Sequence, residues 1–171
     1  MRLGLLAATV AVGTMVPHAA VAQSGATFTP VTDAMLQDPA PGDWLTWRRT
    51  LDSWGYSPLD QINRDNVDQL RMAWSRGTGT GTQESIPIVR DGIMYLIQPG
   101  SNILALDATT GDWIWEYERE YANANMGNTR SKTIAIYEDV IITTTPDSFV
   151  VGLDARTGEV RWETQADARG H

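Results

Sequence analysis

An all-β repeat fold is what this sequence predicts, and three observations carry the prediction. The stretch ALDATTGDWIW at 105–115 returns as GLDARTGEVRW at 152–162, with Asp, Thr-Gly and a final Trp at the same internal spacing. The same offset of 47 residues continues outside the cassettes without a gap, placing Val89 on Ile136, Asp91 on Glu138, Ile93 on Val140, Pro99 on Pro146 and Ser101 on Ser148. Between these positions run short apolar segments broken by Gly, Pro, Asn and Asp, the pattern of strands joined by tight turns. A 47-residue period built from about four short strands suits one blade of a β-propeller, so the chain holds about two blades.

The elements follow in order. Arg2 precedes the apolar run LGLLAATVAVGTMV, then Pro17 and the small residues Ala20-Val21-Ala22, which together read as a secretory signal peptide over 1–22. An apolar run of about 14 residues is short of the roughly 20 that span a bilayer, so no stable membrane insertion is expected. Residues 23–43 are rich in Pro, Gly, Ser and Thr and lack periodicity, which predicts an extended leader. The third segment, 44–171, is the partial propeller. Its first part, Trp44 to Trp74, holds four of the seven tryptophans. Within it NRDNVDQL predicts a helical turn or two started by Asn63 or Asp65, and RMAWS predicts the approach to a strand.

After Trp74 the Gly/Thr alternation RGTGTGTQ lacks the Lys-Ser/Thr ending of a phosphate loop and is read as a flexible loop. Then SIPIV, a turn at Arg90-Asp91-Gly92, IMYLI, a turn at 99–102 and ILALD predict consecutive antiparallel strands. In each cassette the Asp carboxylate is suited to accept backbone N–H groups of the following turn, and Gly111 or Gly158 supplies the backbone freedom that turn requires. Trp115 and Trp162 are each expected to bury a large ring against the neighbouring blade. The cassette is therefore a fastener between blades, not a reactive site.

Composition narrows the function. There are 21 acidic and 13 basic side chains and no cysteine, for a net charge of −8. Loss of the signal peptide removes Arg2 and takes this to −9, which argues against a nucleic-acid partner, whose phosphates demand a basic face. Without disulfides, stability rests on burial and hydrogen bonding.

Taken together, the cassette A-x-D-x-x-T-G-x-x-x-W, the segment WGYSPLDQINRDNVDQLRMAW and the line QESIPIVRDGIMYL resemble the N-terminal part of the pyrroloquinoline quinone (PQQ)-dependent alcohol dehydrogenases, quinoproteins, from about Trp44 to Trp162. The resemblance implies an eight-bladed propeller with PQQ and a calcium or lanthanide ion on its axis. It implies oxidation of a small-molecule alcohol in the periplasm, with electrons passed to the quinone and on to an acceptor such as a cytochrome c.

The family's cofactor contacts carry over where the motifs match. Glu84, in QESIP, falls on the PQQ-contacting glutamate, where a carboxylate accepts hydrogen bonds from the cofactor. Arg130, in NTRSKTIAIY, falls on an arginine that precedes an apolar strand, where a guanidinium suits a planar tricarboxylate. Thr144, in ITTTPDSF, falls near a cofactor-contacting threonine, with Thr145 an equally fair register. Two departures stand out. Many members place adjacent cysteines where this chain reads ANANMGN at 122–128, and the chain stops at ADARGH before the family's metal ligands and catalytic aspartate. The resemblance thus implies an N-terminal fragment, inactive alone, with no catalytic or metal residue of its own. An alternative from another class is a non-catalytic periplasmic propeller scaffold that assists protein assembly, which would not need the QE-x-x-P segment or the arginine.

Overall fold

The computed structural model describes residues 28–130, 132 and 134–166, so the expected signal peptide lies outside the described residues. Two four-stranded antiparallel sheets form, each a simple meander. The first runs β1 (Ile88–Arg90), β2 (Ile93–Ile97), β3 (Ile103–Asp107), β4 (Trp113–Tyr117), and the second β5 (Ala135–Tyr137), β6 (Val140–Thr144), β7 (Phe149–Asp154), β8 (Val160–Gln165). Ile88 and Ala135, Ile93 and Val140, and Trp113 and Val160 open equivalent strands 47 residues apart, so the sequence period is the blade period. β-branched and aromatic residues fill these strands because their stiff side chains fit a pleated, half-buried surface.

The first hairpin closes through Asp91 and Gly92, both at positive φ (49° and 76°), with Arg90 paired to Ile93. Two consecutive left-handed residues make the turn whose twist matches that of the strands it joins. Each cassette then behaves as its residues require. Asp107 Oδ1 accepts from the backbone N–H of Thr109 (2.8 Å) and Thr110 (3.0 Å), and Asp154 Oδ1 accepts from Arg156 (2.8 Å) and Thr157 (3.2 Å). Gly111 and Gly158 follow at φ 74° and 75°, each donating its N–H to the carbonyl of the same Asp.

The two cassette glycines also mark how the blades dock. A Cβ on Gly111 would sit 2.6 Å from the ring of Trp74, and one on Gly158 would sit 2.5 Å from the ring of Trp115. In the same contacts Trp74 Nε1 donates to Ala108 O (3.2 Å) and Trp115 Nε1 donates to Ala155 O (3.1 Å). A tryptophan from one unit thus lies flat on the next cassette and satisfies its indole N–H there. Trp115 is buried as expected, but Trp162 is not: it is 41% exposed and its ring lies against Gly152 of its own sheet. Among the described residues no third cassette stands beside it as the second stands beside Trp115.

One core joins the sheets and the segment before them. Tyr95, Ile97, Ile103 and Trp115 meet Ile136, Ile141, Val151 and Leu153 in it, and Val31 and Leu45 complete it. Tyr95 Oη donates to Ala155 O at 2.9 Å, so that carbonyl receives two donors from the first sheet. Arg119, just beyond β4, clamps the sheets at their rim. It donates to both Asp147 oxygens and to Glu163, and its guanidinium lies 4.7 Å over the Phe149 ring.

Three local expectations change. From residue 28 the expected leader is packed: it forms helix α1 (Asp33–Gln37) and makes single bridges, Val31 to Glu138 and Trp44 to Val89. Arg90, buried, pins it by ion-pairing with Asp43 and donating to Thr29 O. Periodicity misses such a segment because one buried residue and one bridge suffice to fix it. RMAWS leads into no strand, since residues 70–87 are irregular and Trp74 serves as a docking ring instead. The turn near Asn63 is only a short 3-10 helix at Val67–Gln69, preceded by bonds in which Asn66 Oδ1 accepts the Asn63 N–H and Asn63 Oδ1 accepts the Asp65 N–H. No helix among the described residues is long and apolar enough to cross a membrane.

Candidate functional site

The chain runs into each sheet through an irregular lead-in, and two predicted residues lie on these segments. Glu84 stands four residues before β1 and Arg130 five before β5. Thr144 is the last residue of β6, and because Ala135 pairs with Ile142 in antiparallel register, it lies at the end where the chain runs into β5. Topology therefore brings all three to the same end of the two blades.

Backbone contacts fix the two lead-ins side by side. Ile86 donates its N–H to Lys132 O at 3.3 Å, and Gly100 donates to Thr129 O at 3.0 Å, so Thr129 and Lys132 are each tied to the first blade. Gly100 takes φ 75° and faces Gly127 so closely that a Cβ there would meet Gly127 O at 2.6 Å. Only glycine allows that approach. On the other lead-in, Gln83 Nε2 donates to Ile97 O (2.6 Å), and Gly79 N–H donates to Gln98 Oε1 (2.7 Å), anchoring the Gly/Thr loop.

The result is a small charged shelf. Arg130 Nη1 lies 3.3 Å from Glu84 Oε1, and Lys132 Nζ lies 3.0 Å from Glu84 Oε2, one cation to each carboxylate oxygen. The hydrogen bond from Lys132, then its charge, holds the Glu84 carboxyl below the usual carboxylate range, with Arg130 adding a smaller pull. Glu84 is ionised at neutral pH, and two cations against one carboxylate leave a net positive charge. The side chains of Arg130 and Lys132 are 64% and 68% exposed, against 33% for Glu84, so the cations face solvent while the acid sits beneath them. Next to Glu84, the Ser85 hydroxyl is buried without a hydrogen-bond partner among the described residues. Buried polar atoms are nearly always paired, so an orphan beside an open shelf fits a site that takes a polar ligand.

Thr144 is exposed, and among the described residues no hydrogen bond links it to Glu84, Arg130 or Lys132. The alternative register is occupied: the Thr145 hydroxyl is buried, donates to Asp147 Oδ1 and accepts the Phe149 N–H at 3.2 Å, holding the β6–β7 turn. Among the described residues the Thr144 hydroxyl makes no hydrogen bond, whereas that of Thr145 makes these.

Sequence reasoning missed Lys132. A signal was present in the repeat itself, since the 47-residue offset sets Gln83-Glu84-Ser85 against Arg130-Ser131-Lys132. Charge appears on both lead-ins where the repeat breaks, with opposite signs. Chemically, the shelf offers an ionised acceptor, a planar guanidinium, an ammonium and a spare hydroxyl, a donor set that fits a flat polyanion carrying carboxylates and a ring N–H. No group of three His, Asp or Glu gathers among the described residues to hold a metal ion.

Comparison with known proteins gives the chain a family. Residues 44–163 match the model of the PQQ glucose/ethanol/alcohol dehydrogenase β-propeller domain. The dehydrogenase subunit of a quinone alcohol dehydrogenase from Gluconacetobacter polyoxogenes is 46% identical over 82 residues, 47% of this chain and 11% of that protein. Among solved structures, the quinohemoprotein alcohol dehydrogenase ADHIIG of Pseudomonas putida HK5 superposes with TM-score 0.76 at 33% identity, covering 84% of this chain and 22% of the other. A europium-containing methanol dehydrogenase superposes with TM-score 0.68 at 27% identity, over 78% and 24% of the two chains. The chain thus spans about a tenth to a quarter of the length of these relatives.

Proposed function

Because the chain belongs to the family of PQQ glucose/ethanol/alcohol dehydrogenase β-propellers, we propose that it contributes two blades to an exported PQQ-dependent alcohol dehydrogenase and that the Glu84 shelf holds the cofactor. The observation that carries this reading is the convergence of Glu84 and Arg130, 46 residues apart, on one contact at the same end of both blades. Bound PQQ would supply a two-electron acceptor for the alcohol. The chain's own residues bind and orient it. Arg130 donates to the cofactor's carboxylates, Glu84 accepts from it, and the Ser85 and Thr144 hydroxyls lie at the same edge to add bonds from either blade.

The remaining parts of the activity are assigned beyond these two blades. A calcium or lanthanide ion would take its ligands from other parts of the propeller, as would the base that accepts the alcohol proton. The substrate is a small-molecule alcohol, and the electrons pass on to an acceptor such as a cytochrome c. The apolar segment after Arg2 directs the chain to the periplasm, with residues from Gln23 onward in the mature protein.

The test is a titration of the purified protein with PQQ, read by tryptophan fluorescence, followed by dye reduction with calcium and a primary alcohol. Saturable quenching, lost when Glu84 and Arg130 are both replaced by Ala, is the expected result, with no alcohol-dependent dye reduction from these blades alone. Quenching unchanged in the double variant would reject the shelf as the site. Robust turnover would reject the assignment of the catalytic groups to other blades.

A further inference from the structure

The geometry points to Lys132 as a positioning and cofactor-binding residue of this shelf, one that fixes the Glu84 carboxylate and presents a second cation to the anionic ligand. This rests on the proposed PQQ site and extends it to a residue that the motif resemblance does not assign. Three observations carry it. Lys132 Nζ makes the shorter of the two contacts to Glu84, 3.0 Å against 3.3 Å for Arg130. Its backbone is the point where the second lead-in is bonded to the first, Lys132 O accepting from Ile86 N–H two residues after Glu84. And its ammonium is 68% exposed although paired, so a ligand reaching the shelf meets it directly.

The physical roles differ between the two cations. A guanidinium presents a rigid fork that reads a planar carboxylate, whereas an ammonium is a compact point charge with three rotatable donors. Lys132 can therefore keep one N–H on Glu84 Oε2 while turning the other two to a ligand carboxylate. Arg130, at 3.3 Å from the other oxygen, is freer to leave Glu84 for the ligand. Under this reading Glu84 stays anchored by Lys132 as the cofactor binds, and its acceptor oxygen on the Arg130 side is the one released.

Three variants separate these roles: Lys132→Gln, Lys132→Arg and Arg130→Gln. PQQ affinity is read by fluorescence titration, and the Glu84 carboxyl is followed independently by 13C NMR titration without PQQ. Lys132→Gln should weaken PQQ binding about tenfold, the effect of losing one charge-assisted contact. Lys132→Arg should recover most of it. Without ligand, Lys132→Gln should raise the Glu84 titration midpoint more than Arg130→Gln does. PQQ affinity within about twofold of the parent in Lys132→Gln, with Arg130→Gln impaired, overturns the cofactor role. A Glu84 midpoint unmoved in Lys132→Gln overturns the positioning role. Absence of PQQ binding to the parent protein overturns the proposed function and the cofactor role together, while the NMR titration still decides whether Lys132 holds Glu84.

Discussion

Replacing Gly158 by Ala tests whether the cassette glycine is there for the turn or for the ring on top of it. Two costs add at this position. At φ 75° any L side chain meets its own carbonyl, worth about 1–2 kcal/mol. The new Cβ would also lie 2.5 Å from Trp115 Cε3 and 2.8 Å from Cδ2, and forcing a methyl into a packed contact costs typically about 1–3 kcal/mol. Gly158→Ala should therefore cost about 2–5 kcal/mol, a large share of the stability of a domain. Trp115→Ala alone should cost about 3–5 kcal/mol as a cavity, with little added for hydrogen bonding because Ala155 O keeps the Tyr95 hydroxyl. With the ring gone, the methyl has room and only the backbone term remains. The double variant should then be more stable than the sum of the single costs predicts, by about 1–3 kcal/mol. Urea unfolding followed by circular dichroism gives the four stabilities, with sulfate added equally to all if a variant is too weak to show a folded baseline. Additivity within about 0.5 kcal/mol would refute the claim that blade docking selects this glycine.

Other perturbations probe the charged contacts. Burial alone would push the Asp154 carboxyl up, but hydrogen bonds from Arg156 and Arg161 outweigh it and hold the group well below the usual carboxylate range. A depressed folded-state pKa gives stability that is present above the unfolded value of about 3.9 and fades as pH falls below it. Asp154→Asn should cost about 2–3 kcal/mol at pH 7 and flatten the loss of stability below about pH 4, as read from urea midpoints across pH 2–7. Arg119→Lys keeps the charge but loses the two-pronged contact with Asp147 and the flat approach to Phe149, so thermal unfolding should show a loss of about 1 kcal/mol. An unchanged midpoint would mean that the rim clamp is solvated rather than structural.

Most of the fold was legible because the chain states it twice. Strand limits, the Asp91-Gly92 turn and the bonds made by Asp107 and Asp154 all follow from local chemistry repeated at one spacing. The failures are cases in which a residue answers to something outside its own segment. Residues 28–45 show no period, yet Val31 and Leu45 are buried because two sheet edges and a core gap are there to receive them. Trp162 has the same local sequence role as Trp115 and a different fate: the second cassette covers Trp115, whereas among the described residues no further cassette lies against Trp162.

The site follows the opposite logic. A perfect repeat would place identical side chains at equivalent positions of both blades, giving like charges at the seam between them. At the lead-ins the repeat is broken so that Glu84 of one blade faces Arg130 and Lys132 of the next. The tight point of the frame is Gly100: its backbone lies against Gly127, and its N–H donates to the carbonyl of Thr129, the residue before Arg130. A side chain at Gly100 would push the second lead-in away from the first and separate the charges without altering any of them. Repetition thus fixes where the two blades meet, and the three residues that depart from it at that meeting decide what can bind there.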